Sequence, residues 1–261
     1  MFLRKNIDSN KPSEYFIEPF KILNNLAFIG TYHASSHLVD TGDGLLLIDV
    51  GGIRNVYLVI NSIYRLGFSP YDVKYILLTP RHDDHIGGVR ELAGLTKAKT
   101  YISEVCKKYI EENNIFEPTH YLKDNEKIKF GNIEINCLLT PGHTEDTMSF
   151  IFDMEDNGKT YKVGMFGGAG PATLTTADSD HYEGCREDYI RSCDRLLKQR
   201  VDVMLGNHCW NNDLDNKCKL ITEDYNPFLD NGKEWIKFLT YCKERALKIC
   251  KTDTLELEIV K

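Results

Sequence analysis

The chain has no Lys/Arg cluster longer than a pair, and its net charge is −7. A nucleic-acid backbone would call for a basic face, so that class of partner is excluded. No apolar run approaches the length that spans a bilayer, so no membrane partner is expected. Met1-Phe2-Leu3-Arg4-Lys5-Asn6 lacks the apolar core of a signal peptide, which points to the cytoplasm. The eight cysteines (Cys106, Cys137, Cys185, Cys193, Cys209, Cys218, Cys242 and Cys250) include no Cys-x-x-Cys pair. Free thiols in a reducing compartment are therefore expected, not disulfides. A Pro/Ser-rich linker is also missing. The expectation is a flexible polar segment over residues 1–14, then one domain over 15–261, a length that buries a full core.

Strands and helices alternate in the pattern of an α/β chain. Strand-like runs occur at 20–23 and 26–29. Ser36–Asp40 and Leu45–Asp49 flank Thr41-Gly42-Asp43-Gly44, a hairpin signal. Val56, Val59, Ile60, Ile63 and Leu66 recur at helical spacing within 53–66. Tyr75–Leu78 reads as a buried strand, and 86–94 as a short helix. A strand at 99–102 and a helix at about 103–113 follow. Further strands are expected at 126–130, 132–139, 147–153, 160–166 and 201–205, with a helix at about 184–199. Residues 231–251 read as one amphipathic helix, with Trp235, Phe238, Leu239, Cys242 and Leu247 on its apolar side. Runs of strands punctuated by helices imply sheets inside and helices outside.

The stretch His82-Asp83-Asp84-His85 carries the chemistry. It follows a predicted strand and precedes Gly87-Gly88, which puts imidazole and carboxylate side chains in a loop at a strand end. These are ligands that zinc, iron and manganese accept. One ligand is missing: Pro80 stands two residues before His82, where a histidine would enlarge the cluster. Two more histidines follow predicted strands, His143 in Pro141-Gly142-His143 and His208 in Gly206-Asn207-His208. Three separate strand ends thus offer metal-type side chains.

This arrangement resembles the metallo-β-lactamase superfamily, whose pattern is His-x-His-x-Asp-His, a distant Pro-Gly-His and a late His after a strand. Matching positions are His82, Asp84, His85, His143 and His208, along with Leu47-Ile48-Asp49-Val50-Gly51 and Ile86-Gly87-Gly88. The likeness runs in order over about residues 20–250. It implies an αββα sandwich with the metal site at one sheet edge. The chain departs from the pattern at Pro80. It also departs after Val163-Gly164-Met165-Phe166, where the family's bridging aspartate is replaced by Gly167-Gly168-Ala169-Gly170. The closest likeness is to subclass B3 and its non-lactamase relatives. There, the resemblance implies, one metal site uses three histidines and the other Asp-His-His. The first retains only His82 and His143; the second keeps Asp84, His85 and His208. Three protein ligands plus water is the usual open catalytic zinc arrangement, so one tightly bound zinc is expected, with iron or manganese as other metals the ligands accept.

The other polar residues take plainer roles. Asp83 is expected to be an exposed neighbour. Asp49 is expected beneath the metal loop, fixing its amides. His33 and His37 read as core or surface histidines, and His120 has no site context. His181 and Tyr182 lie in a polar insert, 171–183, that would form a substrate rim. Cys209 reads as a small buried residue and Trp210 as packing.

The expected function is hydrolysis of a small ester, lactone, amide or thioester by a metal-activated water, with Asp84 as ligand and proton acceptor. The missing signal segment argues against a β-lactamase role. Two other readings stand beside it: an iron-dependent oxidoreductase of the same fold, and a degenerate scaffold that binds without catalysis. Proline offers no side-chain donor or acceptor, so the ligand loss at position 80 is complete. Pro80→His should therefore rebuild a three-histidine site with His82 and His143. Zinc stoichiometry at saturating metal should show tighter second-ion binding, with a rise in any hydrolytic rate. Unchanged stoichiometry would contradict this register.

Overall fold

The computed structural model describes residues 11–255. Of the segment 1–14, residues 1–10 lie outside the described residues, and Pro12–Tyr15 form a 3-10 turn that buries Tyr15. Seven strands form the first sheet: β1 (Phe20–Leu23), β2 (Leu26–Phe28), β3 (His37–Asp40), β4 (Leu45–Ile48), β5 (Val73–Leu77), β6 (Lys99–Ser103) and β7 (His120–Leu122), paired in that order. Pairing is antiparallel up to β4 and parallel from β4 to β7. The second sheet has the order β12-β11-β10-β9-β8, from β8 (Glu126–Phe130), β9 (Ile133–Leu139), β10 (Met148–Asp156), β11 (Lys159–Met165) and β12 (Val203–Leu205).

Strand periodicity places the layers. Successive side chains point to opposite faces, and a central strand covered on both faces must be apolar throughout. In β4, Leu46 and Ile48 enter the core between the sheets, whereas Leu45 and Leu47 join the outer cluster. In β10, Phe150 and Phe152 face inward and Ile151 faces out. The outer cluster of the first sheet is completed by α1 (Val56–Arg65), α3 (Val89–Thr96) and α4 (Lys107–Glu112), through Val59, Ile63, Leu92 and Ile110. On the second sheet α5 (Cys185–Leu197) and α7 (Lys233–Thr252) supply Tyr189, Leu196, Trp235 and Leu239. Two short helices, α2 (Asp83–Ile86) and α6 (Leu214–Lys217), sit in loops. The result is the αββα sandwich. Among the described residues, no helix is long and apolar enough to cross a membrane.

The structure differs from the sequence reading at several points. The expected loop at 82–85 begins a helical turn, with Ile86 N donating to His82 O. The expected helix 86–94 starts later, at Val89, because Gly87 and Gly88 intervene. Strand β7 was not foreseen: three residues at a sheet edge show no periodicity of their own. In α7, Leu247 is exposed, and Ala246 and Ile249 take the buried positions. All eight cysteines are free thiols, and six are buried.

Candidate metal centre

The loops after β4, β5, β9 and β12 meet at one end of the sandwich. Two cross-sheet hydrogen bonds hold them there: Met148 N to Thr79 O at 3.1 Å and Ser35 N to Asn207 O at 2.9 Å. Backbone approach is close enough to require glycine. A Cβ on Gly87 would meet Asp83 O at 2.4 Å, and one on Gly142, before His143, would meet Tyr189 Cα at 2.4 Å.

Asp49 lies at the end of β4 with φ +59° and no exposure. Its Oδ1 accepts from Thr79 N at 2.9 Å, and its Oδ2 from Thr79 Oγ1 at 2.7 Å. The same Oδ2 is 2.8 Å from His85 Nδ1, which donates to it. That contact fixes the His85 tautomer and turns Nε2 outward. Nε2 is buried and has no hydrogen-bond partner among the described residues. A buried ring nitrogen left without a partner is costly, and a metal ion is one group that satisfies it.

Asp84 Oδ2 stands 3.7 Å from that Nε2. His208 closes the group: its Nδ1 donates to the His33 carbonyl, its ring stacks on Trp210 with centroids 4.5 Å apart, and Asn211 Oδ1 accepts from its backbone N. One ligand atom from each of Asp84, His85 and His208 lies within 4.8 Å of the others. The residues present therefore fit a divalent ion. Asp83, one residue earlier, is exposed and points out of the group.

His82 and His143 are drawn together as a separate pair, His143 Nε2 to His82 Nδ1 at 3.0 Å. His143 Nδ1 donates to Gly170 O at 2.6 Å. His82 Nε2 lies 3.1 Å from Asp180 Oδ2.

Charge separates the rings. Burial opposes protonation of His85, but the Asp84 and then the Asp49 carboxylate outweigh it and raise its pKa to about 9. Burial lowers His208 to about 3 despite Asp84. His143 is held well below the ordinary value, first by burial and then by His82 and His85. Burial would raise Asp84, yet the His85, His208, His33 and His82 rings hold its carboxyl well below the carboxylate range. That suits an anionic ligand better than a proton acceptor.

Four neighbours of the site were missed or misassigned from sequence. His33, read as a core or surface histidine, places Nδ1 3.5 Å from Asp84 Oδ2 and stays partly exposed. Arg81 bridges Asp146 and Asp180 at 2.8 and 3.2 Å. Asp180 reaches the site from segment 171–183, whose Thr173 Oγ1 also lies 3.5 Å from His143 Nδ1. His181 instead turns to Thr173 O, and Tyr182 to Asp188. The only sequence signals were the polar character of that insert and the place of Arg81 inside the motif. His37 is fully buried in β3, and burial lowers it to about 3. His120 pairs with Glu126 on the edge strand. A cavity of about 790 Å³ between α3, α4 and β7, lined by Arg90, Lys107 and Tyr121, contains none of the site residues.

A model of the metallo-beta-lactamase superfamily matches residues 29–156. Residues 29–156 thus form a metallo-beta-lactamase superfamily domain. Over 81 residues, 31% of its length, it is 37% identical to the hydroxyacylglutathione hydrolase of Francisella tularensis subsp. novicida (strain U112). That match spans only 29% of the relative's own length. Likeness to solved structures extends over nearly the whole fold. The metallo-β-lactamase GOB-18 from Elizabethkingia meningoseptica is 28% identical with TM-score 0.79, over 97% of this chain and 99% of that one. BJP-1, a subclass B3 metallo-β-lactamase of Bradyrhizobium japonicum, shares the fold at TM-score 0.86 and 23% identity, over 94% and 98% of the two chains.

The Asp49 geometry makes a testable demand. Asp49→Ala would strip two buried side chains and one buried amide of their acceptor. Urea unfolding of the metal-free protein should show a loss of about 3 kcal/mol, the scale of losing hydrogen bonds to a buried charged group. A loss below about 1 kcal/mol would contradict the role given to Asp49.

Proposed function

We propose that this chain is a metal-dependent hydrolase of a small ester, lactone, amide or thioester, working with one divalent ion held by Asp84, His85 and His208. The observation that carries the reading is the convergence of these three side chains around a buried His85 Nε2 that no described protein group satisfies. Zinc is the proposed ion, since two imidazoles and a carboxylate are among its usual donors. The ion, when bound, would supply Lewis acidity toward water and toward a substrate carbonyl. The chain's own residues do the rest. Asp49 orients His85, and the His33 carbonyl and Trp210 orient His208. Asp84 supplies the negative charge that offsets a dication. His82 and His143, paired with each other, hydrogen-bond water or substrate and orient it.

The names of the relatives, hydroxyacylglutathione hydrolase and metallo-β-lactamase, support the hydrolytic reading. Eight free thiols fit the cytoplasmic location proposed for the chain.

Elemental analysis of protein purified without chelator should find about one tightly held ion per chain, since one complete three-ligand set is present. His208→Ala should lose it, and His143→Ala should keep most of it. Two tight equivalents, or a sole ion between His82 and His143, would overturn the assignment.

The adjacent aspartates test the register of the loop. Asp84→Asn keeps the size of the side chain but removes the charge facing the ion. Against a panel of esters, lactones and thioesters it should abolish turnover and weaken metal binding. Asp83→Asn should change neither. Indistinguishable behaviour of the two variants would refute the alignment of this loop.

A further inference from the structure

Residue 33 touches two of the three proposed ligands, by two different routes. Its carbonyl accepts from His208 Nδ1, and its ring places Nδ1 3.5 Å from Asp84 Oδ2. The first contact belongs to the backbone, and any residue at that position would make it. The second belongs to the imidazole alone.

A tight turn sets the backbone. Thr31 N donates to Ala34 O at 2.9 Å, and Thr31 Oγ1 lies 3.3 Å from both Ala34 O and Ala34 N. On either side of His33 the turn is tied to other segments. Tyr32 N donates to Tyr15 O at 2.7 Å, and Ser35 N to Asn207 O at 2.9 Å. Position 33 is thereby held against His208, the next residue after Asn207.

Aromatic rings fix the side chain. Tyr15, Trp210 and His208 each meet the His33 ring edge to face, with centroids 5.9, 5.9 and 6.0 Å away. Such pairs favour this geometry. Tyr15 comes from the turn Pro12–Tyr15, so the segment before β1 reaches the metal centre through this ring.

The Asp84 oxygen that His33 approaches is the one that faces the other two ligands. Oδ2 lies 3.7 Å from His85 Nε2 and 4.0 Å from His208 Nδ1. A carboxylate oxygen has two lone pairs, one for an ion and one for a donor. A neutral imidazole with its proton on Nδ1 is such a donor. Among the described residues, three imidazoles lie within 4.0 Å of this carboxylate, and only His33 stands outside the ligand set. It can therefore restrain Asp84 while its own nitrogens stay off the ion.

We propose that His33 is a positioning residue: its ring nitrogen orients the Asp84 carboxylate for the divalent ion while its carbonyl orients His208. The proposal rests on the three-ligand site of the reading above and on no particular substrate.

The test is competition for zinc between a chromophoric chelator and the metal-stripped full-length protein. His33→Phe keeps a ring among Tyr15, Trp210 and His208, keeps the carbonyl that holds His208, and loses the nitrogen. Its zinc affinity should fall about 10–100-fold, the usual cost of removing the partner of a metal ligand. His33→Asn puts an amide nitrogen near the place of Nδ1 and should recover most of that loss, although it gives up the ring. His33→Ala removes both and should bind no better than His33→Phe. A packing role would give the opposite order, with His33→Phe near the natural chain and His33→Asn near His33→Ala. That order overturns the proposal. Tight zinc binding by the natural chain and His33→Phe alike overturns it and leaves the three-ligand site standing. Failure of the natural chain to bind zinc overturns both.

Discussion

The buried carboxylate of Asp49 is the constraint on which the site depends. It sits where β4 ends, in a left-handed backbone conformation, and accepts from Thr79 twice and from His85 once. Those bonds tie the end of β4, whose side chains are buried on both faces, to the turn that follows its parallel partner β5. The same contact selects the tautomer of His85 and aims its other nitrogen at Asp84. An apolar residue at position 49 would pack, but it would leave Thr79 and His85 with buried donors and no acceptor, which costs more than a neutral hydrogen bond adds.

Around that anchor the site divides into two halves with opposite electrostatics. His85 is held between two carboxylates and is raised to about 9, while burial takes His208, which has only Asp84 to offset it, down to about 3. The difference is one of neighbours: two carboxylates face His85 and one faces His208. The half with His82 and His143 is organised by Asp180 and the Gly170 carbonyl, and Arg81 draws in the fully buried Asp146. Burial opposes the charge on Arg81, but Asp146 and then Asp180 outweigh it and hold the guanidinium protonated. A buried guanidinium spanning two carboxylates is stable only with this fork geometry, because desolvation is offset by paired, charge-assisted bonds.

Much of the architecture was legible in the chain. Long central strands announced themselves through unbroken apolar runs, as in Leu45–Ile48, and helices α1 and α5 through spacing. Pro-Gly-His and the His-Asp-Asp-His stretch pointed to the strand ends that do converge. Elements that owe their existence to neighbours were not legible. Strand β7 exists because β6 offers it an edge. Leu247 is exposed because the interface of α7 with the second sheet and α5 rotates onto Ala246 and Ile249. His33 reaches Asp84 from 51 positions away, through a turn fixed by Thr31 and Ala34.

By itself, then, the sequence determined the layered α/β architecture, the three strand ends that bear histidines and the absence of a side-chain ligand at Pro80. These are local properties: periodicity, turn chemistry and residue identity are present before the chain folds. The tertiary structure decided how the five candidate ligands divide, Asp84, His85 and His208 in one group and His82 with His143 in another. It also decided that Asp180, Arg81 and His33 border them. Those outcomes depend on which ring nitrogen each acceptor engages, and the acceptors lie 27 to 175 residues distant along the chain. Only the packing of the two sheets brings such pairs within hydrogen-bond range, and no spacing in the sequence encodes the distance.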